Sequence, residues 1–346
     1  MSVIEGLHAR IVVEREHFVV DVALGVAAGE TVVVMGPSGA GKSTLLQALA
    51  GLVPLDDGEI VVDGRVVDRV TGSRVRAKPM RRGAVLLGQN PRLFPHLSVR
   101  ENVAFGPRAL GTDIRAARRD AEDWLRRVGL PGSGERMPHE LSGGEAQRVA
   151  VARALAASPR IVLLDEPLIA LDTETAGDIR QMLRDQLASS TTIAVTHDVA
   201  DAVALADRLV VLETGRITQE GPVREVLAAP GSRFVASIAG LNRIVGAVSD
   251  GVWRAGDLHL PCAQPGPGTL AAVFRPTDVR MGEAVGGEPS WDTVVTRIEP
   301  TLLGVRVSSA ASVVADFSLI EAGGLSPGDR IRVHVAPARV AFVPVS

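Results

Sequence analysis

At 346 residues with 46% apolar positions, the chain is long enough for two domains with ordinary buried cores. A net charge of −3 without long blocks of one sign gives no electrostatic footprint for nucleic acid, and no uncharged apolar run reaches membrane-spanning length. One cysteine, Cys262, excludes an internal disulfide, and seven scattered histidines offer no zinc pattern. Glu5, Arg10 and Glu14 stand where a secretory leader would need an apolar core, so a cytoplasmic chain is expected, carried to any membrane by another chain.

Residues 1 to 30 alternate apolar and polar positions, which predicts antiparallel strands leading to the Gly29-Glu30 turn. Within them His17 and Phe18 are either core or candidates for stacking on a nucleotide base. The β-branched run Thr31 to Val34 then meets Gly36, Pro37, Ser38, Gly39, Ala40, Gly41, Lys42, Ser43 and Thr44, followed by the helix-like Leu45 to Ala50. Glycines let successive N–H groups turn inward on an anion, and the helix adds its positive end. Lys42 would reach β- and γ-phosphates and Ser43 would offer a hydroxyl to Mg²⁺. The chain has two lysines, Lys42 and Lys78, while every other basic side chain is arginine, so the cradle has kept its compact ammonium.

Asp56-Asp57-Gly58 and Asp63-Gly64 read as hairpin turns around Glu59 to Val62, and Arg74 to Arg82, basic and containing Pro79, as a solvated loop. A short buried strand at Val85 to Leu87 delivers Gln89 at its end. Ser98 to Glu101 has capping-box spacing, and Ile114 to Val128 forms an amphipathic helix with an arginine-rich wet side. Ser142 is placed as N-cap of a helix whose start, Ser142, Gly143, Gly144 and Glu145, is either a second anion site or a plain surface cap. Ile161 to Leu164 is a strand covered on both faces, and it delivers Asp165 and Glu166. Asp165 suits Mg²⁺, directly or through water; Glu166 suits orienting or deprotonating a water aimed at the γ-phosphate. After Ala170-Leu171-Asp172 and a further helix, a second buried strand at Thr192 to Thr196 ends in His197, again at a carboxyl end where parallel sheets place ligands.

Through these motifs in this order, residues 1 to 240 resemble the ATP-binding subunits of ABC transporters. Gly36 to Thr44 matches the Walker A loop, Gln89 the Q-loop, Leu141 to Gln147 the signature, Leu163 to Glu166 the Walker B strand and His197 the switch histidine. The resemblance implies a P-loop NTPase fold, with a β-rich entry and a helical subdomain at about 90–158, in a domain spanning 1–238. It implies ATP and Mg²⁺ as ligands, with Ser43, Gln89 and Asp165 at the metal and Lys42, Gln89, Glu166 and His197 as the catalytic set. It also implies a head-to-tail homodimer in which Ser142 to Glu145 of one subunit closes on the ATP of the other, with Asp172 in the loop between the two sites. Ile169 departs from the family's small polar residue, and the chain has no tyrosine to stack on the base.

From about Leu241 the chain turns into short β-like runs broken by glycine and proline, which predicts a small barrel at 239–346. This part resembles the OB-like (TOBE/MOP-type) regulatory tail of importer ATPases, and Leu241 to Val248 resembles its molybdate-binding type. The expected assembly is therefore a peripheral subunit on the cytoplasmic face of the membrane, paired with a transmembrane permease through 89 to 106 and indirectly with a solute-binding protein. Its expected cargo is molybdate, with sulfate, iron or another solute as the alternative, and an oxyanion site in the tail is left open. A DNA-maintenance ATPase would need a long coiled-coil insertion and a GTP switch an Asn-Lys-x-Asp motif; neither is present.

Overall fold

The computed structural model describes residues 5–15, 18–168, 173–188, 190–263, 266–284 and 289–345. His17 and the segment Ile169, Ala170, Leu171 and Asp172 lie outside them. By contacts the chain divides into two compact units, Met1–Val223 and Arg224–Ser346.

The first unit opens on β1 (Leu7–Arg15), β2 (Phe18–Val26) and β3 (Thr31–Met35), followed by α1 (Lys42–Ala50). Next come β4 (Asp57–Val62), β5 (Arg65–Arg69), β6 (Val75–Arg76) and β7 (Ala84–Leu87). A helical stretch carries α2 (Val99–Ala109), α3 (Ile114–Arg127) and α4 (Gly143–Ala156). The unit closes with β8 (Ile161–Asp165), α5 (Thr173–Leu187), β9 (Thr191–Val195), α6 (Val199–Leu205), β10 (Arg208–Glu213) and β11 (Arg216–Pro222).

Strand period decides the layers. The alternating β1 and β2 pair antiparallel from Leu7↔Val26 to Arg15↔Phe18 and lie in the sheet β2-β1-β4-β5-β6. The continuous apolar runs lie instead in the sheet β11-β10-β3-β9-β8-β7, parallel from β10 to β7, where both faces are covered. α1 sits between the sheets, its Leu45, Leu46 and Leu49 in the same core as Ile11, Val22, Val34 and Leu163. Each such leucine contributes about 1.5–3 kcal/mol by leaving water. A second core joins Val103 of α2, Ala121 and Leu125 of α3 and Val149 of α4.

Two local readings are corrected. Asp57 and Gly58 are not a turn; they lie in β4, paired with Val12 and Ile11. The Arg74–Arg82 stretch is not simply a wet loop, because Arg82 is 2% exposed and ion-paired with Asp68 of β5. Its guanidinium also donates to the Ala77 carbonyl and, at 3.2 Å, to that of Ala48 in the last turn of α1. A cation there meets the negative end of the helix.

In the second unit α7 (Val223–Ala228) and α8 (Arg233–Ile238) lead into β12 (Asn242–Ser249), β13 (Val252–Ala255), β14 (Leu258–Pro261), β15 (Gly268–Phe274) and β16 (Val279–Met281). They are followed by β17 (Ser290–Pro300), β18 (Val305–Ser309), β19 (Val314–Phe317), β20 (Arg330–Val335) and β21 (Ala341–Pro344). All pairings are antiparallel, in the orders β14-β13-β12-β15-β21 and β16-β20-β17-β18-β19, and both sheets share one core around Trp253, Phe274, Trp291 and Phe317. The expected barrel is thus present, nearly closed and consistent with an OB-like fold. The short strands β13, β14 and β16 were not among the expected runs.

Replacing Asp68 by Ala leaves a buried guanidinium without its counter-charge, which costs about 3–5 kcal/mol. Chemical denaturation of the variant should show that loss, and a cost under about 1 kcal/mol would mean that Arg82 is held by its carbonyl partners alone.

Candidate functional site

The loop after β3 is shaped by close backbone approach. A Cβ at Gly36 would overlap the Leu212 carbonyl oxygen. Gly41 has φ of 103°, and a Cβ there would lie 2.7 Å from Val20 Cγ2. Phe18 is half-buried and packs on the core beside this turn, which favours its core reading. α1 then begins with no side-chain cap and no acidic residue in its first turn, leaving a bare positive end suited to an anion. Lys42 Nζ donates to the carbonyl oxygens of Gly36 at 2.7 Å and Pro37 at 2.9 Å, so the ammonium curls over the loop. Burial lowers its pKa, while Glu166 and Asp165 oppose that shift.

β8 carries Asp165 to its carboxyl end. Burial, aided by Glu166, raises the Asp165 pKa, against a hydrogen bond from the Ser43 hydroxyl and the charge of Lys42. Its Oδ1 is buried with no hydrogen-bond partner, a lack that a bound cation would satisfy. Oxygen donors from Ser43, Asp165 and Gln89 fit a hard ion such as Mg²⁺. Among the described residues no group of three His, Cys, Asp or Glu could hold a metal, so such an ion would need further oxygens from water or a bound ligand.

Glu166 follows with φ of 50°, a left-handed conformation that costs a non-glycine residue about 1–3 kcal/mol. Its N–H donates to the Val195 carbonyl of β9 at 2.9 Å, which holds the turn. Gln89 Nε2 donates to Glu166 Oε2 at 3.2 Å, and His197 Nδ1 lies 3.5 Å from Glu166 Oε1. Two side chains distant in sequence therefore meet on one carboxylate. A cleft of about 640 Å³ is lined by Ser43, Gln47, Gln89, Arg92, Arg153 and Asp165 among others.

The start of α4 is built differently. Ser142 Oγ accepts the Glu145 N–H at 3.2 Å, and Glu145 Oε2 accepts the Ser142 N–H at 2.8 Å. Arg136 donates to both oxygens of Glu145 at 2.7 and 3.3 Å, and that pairing brings the Glu145 pKa down to about 2. Gly143 opens the helix and Gly144 is buried. Among the described residues no hydrogen bond or ion pair joins Ser142 to Glu145 with the Gly36 to Thr44 loop. Lys42, Ser43, Gln89, Asp165, Glu166 and His197 thus form one cluster, and the α4 start stands apart from it.

Sequence reasoning missed the side chains that hold these segments. Asn102, fully buried, donates to the carbonyls of Phe94, Leu97 and Ser98 and accepts the Phe94 N–H. Arg153 of α4 donates to the carbonyls of Pro91 and Arg92, both at 2.8 Å, and stacks on Phe94. Gln147 donates to the Pro167 carbonyl at 2.7 Å. Gln147 and Arg153 are long polar side chains flanking the apolar run Val149 to Ala152 of α4, and that is the signal that could have marked them.

Glu145 gives a pH test. Its folded pKa is depressed from 4.5 to about 2, so its stabilisation is fully present above pH 4.5 and is lost as pH falls through about 2. The stability difference between wild type and Glu145→Gln should be at most about 1 kcal/mol for this partly exposed pair. It should be constant above pH 4.5 and close toward pH 2; a gap unchanged across that window would sever Glu145 from Arg136.

Residues 19–169 match the profile of the family described as ABC transporter. The chain is 48% identical over 348 residues, 94% of each sequence, to the molybdenum import ATP-binding protein ModC of Mycobacterium tuberculosis. It is 45% identical over 274 residues to the Fe(3+) ions import ATP-binding protein FbpC of Streptomyces avermitilis, covering 77% of this chain and 76% of that one. Among solved structures, a dimeric ATP-binding cassette in a post-hydrolysis state bound to ADP and Pi superposes with a TM-score of 0.54 at 29% identity. That match covers 63% of this chain and 99% of the other.

Proposed function

Because this chain belongs to the ABC transporter ATPase family and is an importer ATPase, we propose that it hydrolyses ATP to energise uptake of molybdate, binding the phosphates in the Gly36 to Thr44 loop. The observation that carries the site assignment is the convergence of Gln89 and His197 on Glu166, beside the partnerless oxygen of Asp165 and the bare start of α1. Backbone N–H groups from Gly36, Ser38, Gly39, Ala40, Gly41 and Thr44, in a loop whose second residue is the donorless Pro37, and the Lys42 ammonium take the β- and γ-phosphates. Ser43, Asp165 and Gln89 would hold Mg²⁺, which when bound supplies positive charge to the phosphate oxygens. Glu166 accepts a proton from, or orients, the attacking water, and His197 and Gln89 keep its carboxylate aimed.

Ser142, Gly143, Gly144 and Glu145 complete the site from a second copy of the chain, in a head-to-tail homodimer that closes on ATP and reopens after hydrolysis. Support comes from their separation from the loop within one chain and from the dimeric relative. The segment 89 to 106 meets the permease. Arg153 ties that segment to α4, so a push on it reaches the helix that faces the partner's nucleotide. No helix among the described residues is long and apolar enough to cross a membrane; the place as a peripheral subunit on the cytoplasmic face follows from the proposed importer role. A solute-binding protein is met only through the permease. In this reading 1–238 is the ATPase domain, with 90–158 its helical part, and 239–346 is the regulatory barrel; α7 and α8 belong with the ATPase by sequence and with the second unit by contacts.

Molybdate is favoured because the 48% identity to the molybdenum relative runs through 94% of both chains, whereas the iron relative matches 77% of this one. Calorimetric titration of the full chain with molybdate, tungstate and sulfate tests it. Heat with the first two and none with sulfate supports cargo sensing by the barrel; no heat with any removes the barrel from that role. Glu166→Gln should keep ATP binding, lower kcat by about 10²–10⁴ and shift the sedimentation coefficient to that of a dimer in ATP. Hydrolysis at the wild-type rate would remove Glu166 from its role.

A further inference from the structure

His197 keeps 62% of its side chain in solvent, so its own packing does not fix the ring that faces Glu166. Its neighbours are fixed instead. The Thr196 hydroxyl donates to Asp201 Oδ2 at 3.0 Å and accepts the Asp198 N–H at 3.0 Å, tethering the chain on both sides of His197. Asp198 in turn caps α6 by accepting the Ala200 N–H at 2.7 Å.

Asp201 is 5% exposed, and its Oδ1 accepts Arg180 Nε at 2.9 Å and Nη2 at 2.6 Å. A hydroxyl has one proton, so giving it to Asp201 leaves the Thr196 lone pairs for Asp198 and sets the direction of both bonds. A buried carboxylate needs such a full set of partners to stay charged. Arg180 stands on α5, the helix after the segment that carries Glu166, while Thr196 and His197 lie in the link between β9 and α6 and Asp201 in α6.

We propose that Thr196 and Asp201, clamped by Arg180, form a positioning device that aims His197 at Glu166 and couples the two chain segments bearing them. This rests on the reading of His197 given above. Among the described residues no hydrogen bond joins Thr196, Asp201 or Arg180 to the Gly36 to Thr44 loop, so loss of the device misaims the imidazole and leaves ATP binding in place.

The test is a double-mutant cycle read as kcat and KM for ATP. Thr196→Val should lower kcat by about 10–100-fold, the cost of a misplaced group, with KM nearly unchanged, and Thr196→Ser should restore most of the rate. In a His197→Ala background Thr196→Val should add nothing, because both act through one ring. Equal losses in both backgrounds, or no loss from Thr196→Val, would overturn the proposal. Wild-type hydrolysis by His197→Ala alone would sink the reading of His197 and the device with it. If Thr196→Val lacks a thermal transition, Arg180→Lys serves in its place, since an ammonium cannot reproduce the paired guanidinium donors; it should show the same non-additivity with His197→Ala.

Discussion

The register of the parallel strands β3, β9 and β8 is the constraint on which the rest of the site depends. Asp165 lies opposite Val195 in the β8–β9 pair, and Val195 lies opposite Val34 in the β9–β3 pair, just before the phosphate loop. Side chains alternate along a strand, so a slip of one residue would turn Asp165 into the core and an apolar neighbour toward the loop. The unbroken apolar runs of β3, β8 and β9 resist such a slip through burial, since each strand is covered on both faces. The backbone bond from Glu166 to Val195 extends this register one residue past the strand, which is how a strained φ is kept where the carboxylate is needed.

The sheet alone does not place α1. That helix is pinned at its far end, where Arg82 bonds the Ala48 carbonyl while paired with Asp68. A buried ion pair of this kind is often no more stabilising than an apolar replacement of the same volume, but its directional bonds fix one arrangement. The helix is therefore anchored by its negative end and left bare at its positive end. The bare end is destabilising for an isolated helix, and the leucines in the core beneath it offset that cost.

What could be read in the sequence was what depends on neighbours in the chain. The glycine loop, the apolar runs ending in Asp165 and His197, and the Ser142 and Ser98 caps are local patterns, and each stands where its period put it. What escaped was set by distant partners. Arg82 sits in a basic, proline-containing stretch that looks wet until Asp68 and Ala48 arrive from elsewhere in the chain. Asp57-Gly58 has turn composition, yet pairing with β1 made it strand. The strands β13, β14 and β16 are too short to show a period, and pairing within the barrel defines them. Asn102, Arg153 and Asp201 are polar residues in helices whose use appears only when the carbonyls or hydroxyl they serve are folded against them.

The two glycine-associated helix starts of this unit treat an anion differently. α1 offers uncapped N–H groups and a lysine, with the carboxylates of Asp165 and Glu166 facing that lysine from the end of β8. α4 satisfies its own first turn through Ser142 and Glu145, and Glu145, with a pKa near 2, is ionised throughout the physiological range. A phosphate approaching α4 would therefore meet a helix end already partly neutralised, with the Arg136 guanidinium paired to Glu145 offsetting the repulsion of that carboxylate. In a site shared between two copies, the loop before α1 would supply most of the attraction. The α4 start would contribute through fit on closure, so binding and closing can be separate events governed by different residues of the same chain.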